Sequence, residues 1–189
     1  MGSIFDSLET EIIIDGVTYE VDMSFDNVLE LIEVLENPKV DDVKKVYIGI
    51  LILLGKELQL QIDEQMKVFE VLLKEFVQDE NQQKIQFDLE GNQMPLPKQE
   101  ISYDLRQDAS YIYTSFVQAY GIDLYEQRGK LDWRKFKQLL RDLPDDTKFK
   151  QVIDIRTRPF PKGKHAVDER KRLKEMKRVY ALSSDNGEL

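Results

Sequence analysis

The sequence contains no cysteine and a single histidine, His165. Without cysteine there are no disulfides, thiolate zinc sites or thiol nucleophiles, and such a composition is typical of a reducing compartment. With one histidine, multi-histidine metal sites and most Ser-His-Asp arrangements lack the residues that they need. The chain also has no glycine-rich phosphate loop, nucleophile elbow or HExxH motif. These absences predict a protein that is not an enzyme and that holds no cofactor or metal.

Long hydrophobic runs are absent as well. The most apolar stretch, residues 47–54, is eight residues long, whereas a membrane-spanning helix needs about twenty. The first twenty residues have neither the basic start nor the long apolar segment of a signal peptide. We therefore expect a soluble, cytoplasmic protein with no membrane partner.

Charge, in contrast, is abundant and unevenly distributed. Charged residues make up 33% of the chain, and the formal net charge is −9. Residues 1–42 hold twelve acidic residues and one lysine, whereas residues 150–182 hold eleven basic and four acidic residues. The acidic total disfavours nonspecific binding to nucleic acid. The basic end is either a solvated helix or a surface for a partner of opposite charge, for which a second copy of the chain qualifies.

The pattern of residues 1–78 predicts a β-hairpin followed by three helices. Asp15-Gly16 divides a β-branched run and suits a type I′ turn. Helices are expected at about 25–36, 41–55 and 62–77, with Ser24 capping the first of them. The second helix is apolar around its whole circumference after Ile48, which predicts the central buried helix.

Residues 79–102 are rich in glutamine and asparagine and contain two prolines, which predicts a long polar linker. Further helices are expected after it, the first running from about Asp104 to a left-handed cap at Gly121. The fold class is mainly α with a small N-terminal β-hairpin (α+β), with two packed helical units joined by the linker. The predicted boundaries are 1–78 for the first unit, 79–102 for the linker, 103–158 for the second unit and 159–189 for a basic helix and tail.

Aromatic residues of the second unit and the amphipathic part of the basic helix are candidates for binding a partner helix in a groove. The aromatic candidates are Tyr111, Tyr113, Tyr120, Tyr125 and Trp133. The candidates in the basic helix are Arg170, Arg172, Leu173, Met176, Arg178 and Tyr180. The alternative is that the aromatic residues build the core of their own unit, and we favour that interpretation for Trp133 and Phe136.

Two motifs in the second half, Tyr120-Gly-Ile-Asp-Leu124 and Trp133-Arg-Lys-Phe136, resemble those of a known protein family. The hairpin and the Asn37-Pro38 break are also similar to it. The family consists of small proteins from siphophages and prophages of Gram-positive bacteria and is known by the gene-product number fifteen. The resemblance covers most of residues 11–156 and leaves out the basic C-terminal segment.

The resemblance implies a tail assembly chaperone. Such a protein binds the tape-measure protein in the cytoplasm of the infected or lysogenic host and keeps it soluble until tail-tube protein polymerises. The implied partners are the tape-measure and tail-tube proteins, and no catalytic residue is implied. A structural tail or connector component of the virion is the alternative. A nucleic-acid-binding accessory protein is a lower alternative, because the loop between the helices at 103–141 is too long for a helix-turn-helix.

Overall fold

The computed structural model describes residues 8–77, 102–163 and 166–183. Contacts divide the chain into two compact units. Unit 1 contains the described residues 8–77 and 128–137, and unit 2 contains the remaining ones. The predicted linker, except for its last residue, and the tail after residue 183 lie outside the described residues.

Unit 1 begins with the predicted hairpin. Strands β1 (Glu11–Ile14) and β2 (Val17–Glu20) pair antiparallel, with Ile14 opposite Val17. Asp15 and Gly16 connect them with φ angles of 49° and 77°. Positive φ at both central residues is what a type I′ turn requires, and this pair adopts it readily. The hairpin prediction is confirmed.

Three helices follow in unit 1: α1 (Phe25–Glu36), α2 (Asp42–Leu54) and α3 (Ile62–Leu72), the last continued by a π-helical turn at Leu73–Val77. The side chain of Asp41 accepts the backbone N–H of Lys44 at 3.0 Å and so caps α2. Gly55 ends the same helix in the left-handed conformation. The three predicted helices are therefore confirmed.

The prediction that the side chain of Ser24 caps α1 is wrong. Ser24 precedes α1, but its side chain accepts no helix N–H. Its hydroxyl instead donates to Oδ1 of Asp22 at 2.7 Å, and its backbone N–H donates to the same atom at 2.9 Å. A carboxylate is a stronger acceptor than a hydroxyl, so the Ser24 hydroxyl turns back along the chain as a donor.

The core of unit 1 depends on one close approach. A Cβ atom at Gly49 of α2 would lie 2.4 Å from Cε2 of Phe69 and 3.1 Å from Cδ1 of Leu31. Phe69 and Leu31 are both buried. The missing side chain therefore makes the room in which α1 and α3 pack against α2.

Residues 128–137, which the sequence groups with the second half of the chain, pack in unit 1. The backbone N–H of Phe25 donates to the carbonyl of Leu131 at 2.8 Å, and that of Trp133 donates to the carbonyl of Met23 at 2.7 Å. These bonds form a short antiparallel bridge at the start of α1. The pairing joins residues more than a hundred positions apart, so no local pattern in the sequence could reveal it.

Helix α5 (Trp133–Arg141) begins within this segment. Asp132 precedes it, and the carboxylate of Asp132 accepts the backbone N–H of Arg134 at 2.8 Å and so caps the helix.

Unit 2 contains α4 (Ala109–Tyr120), α6 (Lys148–Thr157) and α7 (Val167–Val179). Helix α6 packs against both α4 and α7. Phe116, Phe149 and Val152 are fully buried between these helices. Gly121 ends α4 in the left-handed conformation, as predicted.

Helix α4 begins later than predicted. Asp104 accepts the backbone N–H groups of Arg106 at 2.9 Å and Gln107 at 2.7 Å, which resembles the predicted cap. The turn that it closes is not continued, and a new helix starts after Asp108. The side chain of Asp108 does not cap α4, and its Oδ2 instead accepts the backbone N–H of Asp104 at 3.1 Å.

The predicted fold class is confirmed: the described residues form seven α-helices and one two-stranded antiparallel hairpin. Among these helices, none combines the length and the apolar character that crossing a membrane requires.

Candidate protein-interaction surfaces

Tyr113 of α4 and Tyr125, which follows this helix, lie together. Their ring centroids are 5.0 Å apart, and the hydroxyl of Tyr113 donates to Oδ2 of Asp123 at 3.2 Å. Burial, and then the neighbouring Asp123 carboxylate, raises the pKa of Tyr113. Tyr125 is 72% exposed, so its ring is the part of this pair that a partner can reach.

Tyr120 faces the interior of unit 2. Its hydroxyl donates to the carbonyl of Leu139 at 2.9 Å, and its ring meets Phe116 edge-on at 5.7 Å. Burial raises the pKa of Tyr120, because the phenolate would lose hydration. This tyrosine therefore supports the packing of its own unit.

Tyr111 of α4 and Tyr180, which follows α7, meet around one lysine. Their rings are 6.2 Å apart in an edge-on arrangement. Nζ of Lys148 donates to the Tyr180 hydroxyl at 2.7 Å and lies 4.5 Å from that ring's centroid and 5.7 Å from that of Tyr111. The contact combines a hydrogen bond with cation–π attraction and holds the end of α7 against α4.

Arg156 fastens the same end of α7 more strongly. Its guanidinium donates to both carboxylate oxygens of Asp108, at 2.6 and 2.8 Å. It also donates to the carbonyls of Tyr180 at 2.6 Å and Ser102 at 3.0 Å. The side chains of Arg156 and Asp108 are 12% and 1% exposed. We call this buried ion pair with its two carbonyl acceptors the Arg156 clasp.

Trp133 lies in unit 1 and is only 5% exposed. Its ring stacks on Phe136 at 5.6 Å, and Phe136 stacks on Phe25 at 5.0 Å. The indole N–H donates to the carbonyl of Val77 at 3.3 Å. The ring thus has aromatic neighbours and a hydrogen-bond acceptor within unit 1, which is how a buried tryptophan is normally satisfied.

The candidate residues of α7 fall on two sides of the helix. Leu173 is buried, and Met176 and Tyr180 are half-buried, so they face unit 2. The three candidate arginines are exposed: Arg170, Arg172 and Arg178. Arg170 donates to the carbonyl of Pro161 at 2.9 Å, and Arg178 donates to Glu175 at 2.7 Å.

Unit 1 has exposed apolar residues that the sequence predicts to be buried. Val43, Tyr47 and Leu51 of α2 are 53%, 40% and 39% exposed. They recur at intervals of four residues and so form a stripe along one side of the helix, which we call the α2 stripe. The prediction that α2 is the central buried helix is therefore correct for only one side of the helix. That side carries Gly49 and is the one that α1 and α3 cover.

The start of α3 is similar. Ile62 and Met66, one helical turn apart, are 39% and 44% exposed, although their spacing places them on the same side of the helix as the buried Phe69. For α2, Gly49 is the residue in the sequence that indicates which side of the helix is packed. A glycine inside a helix often marks the face where a neighbouring element packs closely.

The fold defines a small, mainly helical protein with a short N-terminal hairpin. Residues 4–182 match the family model for the bacteriophage Gp15 protein, and the chain belongs to that family. The match includes α7, which the resemblance recognised in the sequence had left out. Neither the curated proteins nor the solved structures contain a match to the chain.

Proposed function

We propose that this protein is a phage tail assembly chaperone that binds the tape-measure protein and keeps it soluble during tail assembly. The observation that carries the proposal is the α2 stripe, a row of exposed apolar side chains on a helix whose other side is packed in unit 1. Membership of a bacteriophage family supports a role in phage production. The proposal needs no catalytic residue and no cofactor, and it places the activity in the cytoplasm of the infected or lysogenic host.

The α2 stripe has the geometry that an amphipathic client helix needs. Val43, Tyr47 and Leu51 repeat every four residues, so a client helix with the same apolar spacing can lie along them and bury its apolar side. The Tyr47 hydroxyl donates to the carboxylate of Glu57, and this hydrogen bond raises the pKa of Tyr47. A ring that is already held in place loses less conformational entropy when a client binds.

Net charge supports the same function. The protein has a formal net charge of −9. Complexes that contain it therefore carry like charge and repel one another. When the protein covers apolar segments of a client, the complex therefore acquires negative charge, which opposes aggregation. The tail-tube protein is the second proposed partner, because its polymerisation would displace the chaperone.

The test is co-expression with the cognate tape-measure protein. We expect the soluble fraction of the tape-measure protein to rise and the two proteins to co-purify. The double variant Val43→Gln with Leu51→Gln should lose most of this effect. Val117→Gln is the matched control, because Val117 is 43% exposed on a helix of unit 2, outside the α2 stripe. No gain in solubility and no co-purification with the unmodified chain would refute the chaperone function.

Mass spectrometry of purified phage particles tests the main alternative. A chaperone should be absent from mature particles. A defined copy number in the particle would instead identify a structural tail or connector component.

A further inference from the structure

Helix α3 has an exposed apolar edge on the side that packs against α2. Phe69 of α3 lies over Gly49 of α2, where a Cβ atom would be 2.4 Å from Cε2 of the ring. Ile62 and Met66 precede Phe69 by seven and three residues, so they lie on the same side of α3. Both are nevertheless exposed, whereas Phe69 is buried. The α2-facing side of α3 is therefore closed at Phe69 and open to solvent nearer the start of the helix.

The α2 stripe borders the same side of α3. Asn27 of α1 donates to the carbonyl of Ile52 at 2.9 Å, so α1 packs on the Ile52 side of α2. Ile52 lies about 140° around α2 from Tyr47, the middle residue of the α2 stripe. Since α1 occupies that distant side, α3 is the helix that adjoins the α2 stripe.

The two sets of exposed apolar residues lie side by side along the helices. Residues 55–61 connect α2 to α3, and a connection this short joins antiparallel neighbours. Leu51 follows Gly49 in α2, and Met66 precedes Phe69 in α3. In antiparallel helices these two side chains therefore lie in the same direction from the contact between Gly49 and Phe69. We call the space between the two sets the α2–α3 groove, and its residues are Val43, Tyr47, Leu51, Ile62 and Met66.

The apolar area of the α2–α3 groove fits one helix. Its five residues are between 39% and 53% exposed. With roughly 150–200 Å² for a fully accessible large side chain, they offer on the order of 400 Å². A stable interface between two folded copies takes about 800 Å² from each partner, which is about twice what the groove offers. The area therefore favours a single helical segment over a second copy as the occupant.

We propose that the α2–α3 groove holds one amphipathic helix of the tape-measure protein, which packs between the α2 stripe and the edge formed by Ile62 and Met66. The proposal rests on the proposed chaperone function and extends its binding site to α3. A client helix with apolar residues at i, i+3 or i+4, and i+7 presents one apolar face to both walls. Met66 has a flexible, polarizable side chain that adapts to different apolar partners. The groove thus selects for apolar spacing and not for one particular side chain.

The absence of cysteine from the chain allows a direct test. Leu51→Cys and Met66→Cys each introduce a single thiol, one on each wall of the groove. Val71→Cys is the matched control, because Val71 is 40% exposed on α3 and lies about 140° around the helix from Met66. Each variant is co-expressed with the cognate tape-measure protein. Mass spectrometry then measures the rate at which a maleimide alkylates the thiol in the free chain and in the purified complex.

Both groove thiols should react at least about tenfold more slowly in the complex than in the free chain, because a covered thiol is inaccessible to the reagent. The Val71→Cys thiol should react at nearly the same rate in both.

Substitution of the α3 wall gives an independent measurement. Ile62→Gln with Met66→Gln should weaken the binding of the tape-measure protein at least about tenfold, as expected for two half-exposed apolar side chains. Val71→Gln should leave the binding unchanged. Glutamine is a good helix former, and circular dichroism verifies that each variant keeps its helical content.

Failure of this inference is distinguishable from failure of the chaperone function. If the tape-measure protein co-purifies and protects the Leu51→Cys thiol but not the Met66→Cys thiol, the client lies on the α2 stripe alone, so the groove is wrong and the chaperone function stands. If the unmodified chain does not co-purify with the tape-measure protein, both are wrong.

Two further outcomes would overturn the proposal in favour of another occupant. Alkylation of both groove thiols that slows as the concentration of the free chain rises would assign the groove to a second copy. Alkylation that is as slow in the free chain as in the complex, at every concentration, would assign the groove to another segment of the same chain.

Discussion

Replacing Arg156 should destabilise unit 2 more than replacing any exposed arginine there. The Arg156 clasp joins three parts of the unit, because its guanidinium reaches Asp108 at the start of α4, Ser102 before it and Tyr180 after α7. We choose Arg156→Met as the test, since methionine keeps much of the aliphatic length and removes every donor.

The expected magnitude follows from the burial of the pair. Asp108 is 1% exposed, so the variant leaves its carboxylate buried without its main cationic partner. Breaking a buried ion pair from one side costs about 3–5 kcal/mol. In a unit of this size, 1 kcal/mol lowers the melting temperature by about 4–8 °C, so a fall of at least about 12 °C is expected. The melting temperature of Arg156→Lys should fall by less, because lysine keeps the positive charge. It should still fall, because lysine cannot form the bidentate contact with Asp108.

Thermal unfolding followed by far-ultraviolet circular dichroism measures the effect. Arg158→Met is the matched control: Arg158 pairs with Asp154 one turn away on the same helix end, but both side chains are about half exposed. An exposed pair of this kind contributes little, so the control should melt close to the unmodified protein. If Arg156→Met melted no lower than the control, the assigned role of the clasp in stabilising unit 2 would be wrong.

Three further predictions concern packing and ionisation. Gly49→Ala should lower the free energy of unfolding by about 1–3 kcal/mol in denaturant titrations, because the new methyl group overlaps the Phe69 ring; adding Phe69→Leu should recover part of the loss. Trp133→Ala should cost about 3–5 kcal/mol in the same assay, since it empties a buried aromatic stack. Burial raises the pKa of Tyr120, so its contribution to stability is complete below the ordinary tyrosine pKa and is lost as pH rises through the raised value. Tyr120→Phe should therefore make unfolding less sensitive to alkaline pH, and absorbance titration of tyrosinate should show one high-pKa group fewer.

Elements with local signals were predictable from the sequence. Asp15-Gly16 defines the hairpin because few other residue pairs accept positive φ at both positions. Asp41 and Gly55 define α2 because a carboxylate cap and a left-handed glycine act within one turn of the helix. In each case the energy that selects the structure comes from residues at most a few positions away.

Contacts between distant residues were not predictable in the same way. Asp104 and Asp108 are equally suitable caps in the sequence, yet the carboxylate of Asp108 caps no helix and binds Arg156, 48 residues further on. Ser24 is a good cap by composition, yet Asp22 takes its hydroxyl. A polar side chain such as that of Ser24 or Asp108 has several possible hydrogen-bond partners nearby in the sequence. Which partner it binds depends on where the fold places the other residues.

The same reasoning changes which residues are the best candidates for binding a client. Trp133 is a candidate from the sequence because it is aromatic. Its ring is 5% exposed and stacks on Phe136, so it can contact a client only if unit 1 opens. Tyr47 and Leu51 are about 40% exposed without any such opening. Burying apolar area that is already in water requires no loss of existing packing, so the α2 stripe offers a client more net free energy than the buried aromatic residues do. Variants of the α2 stripe are therefore expected to reduce client binding while leaving the melting temperature nearly unchanged, whereas variants of Trp133 should change both together.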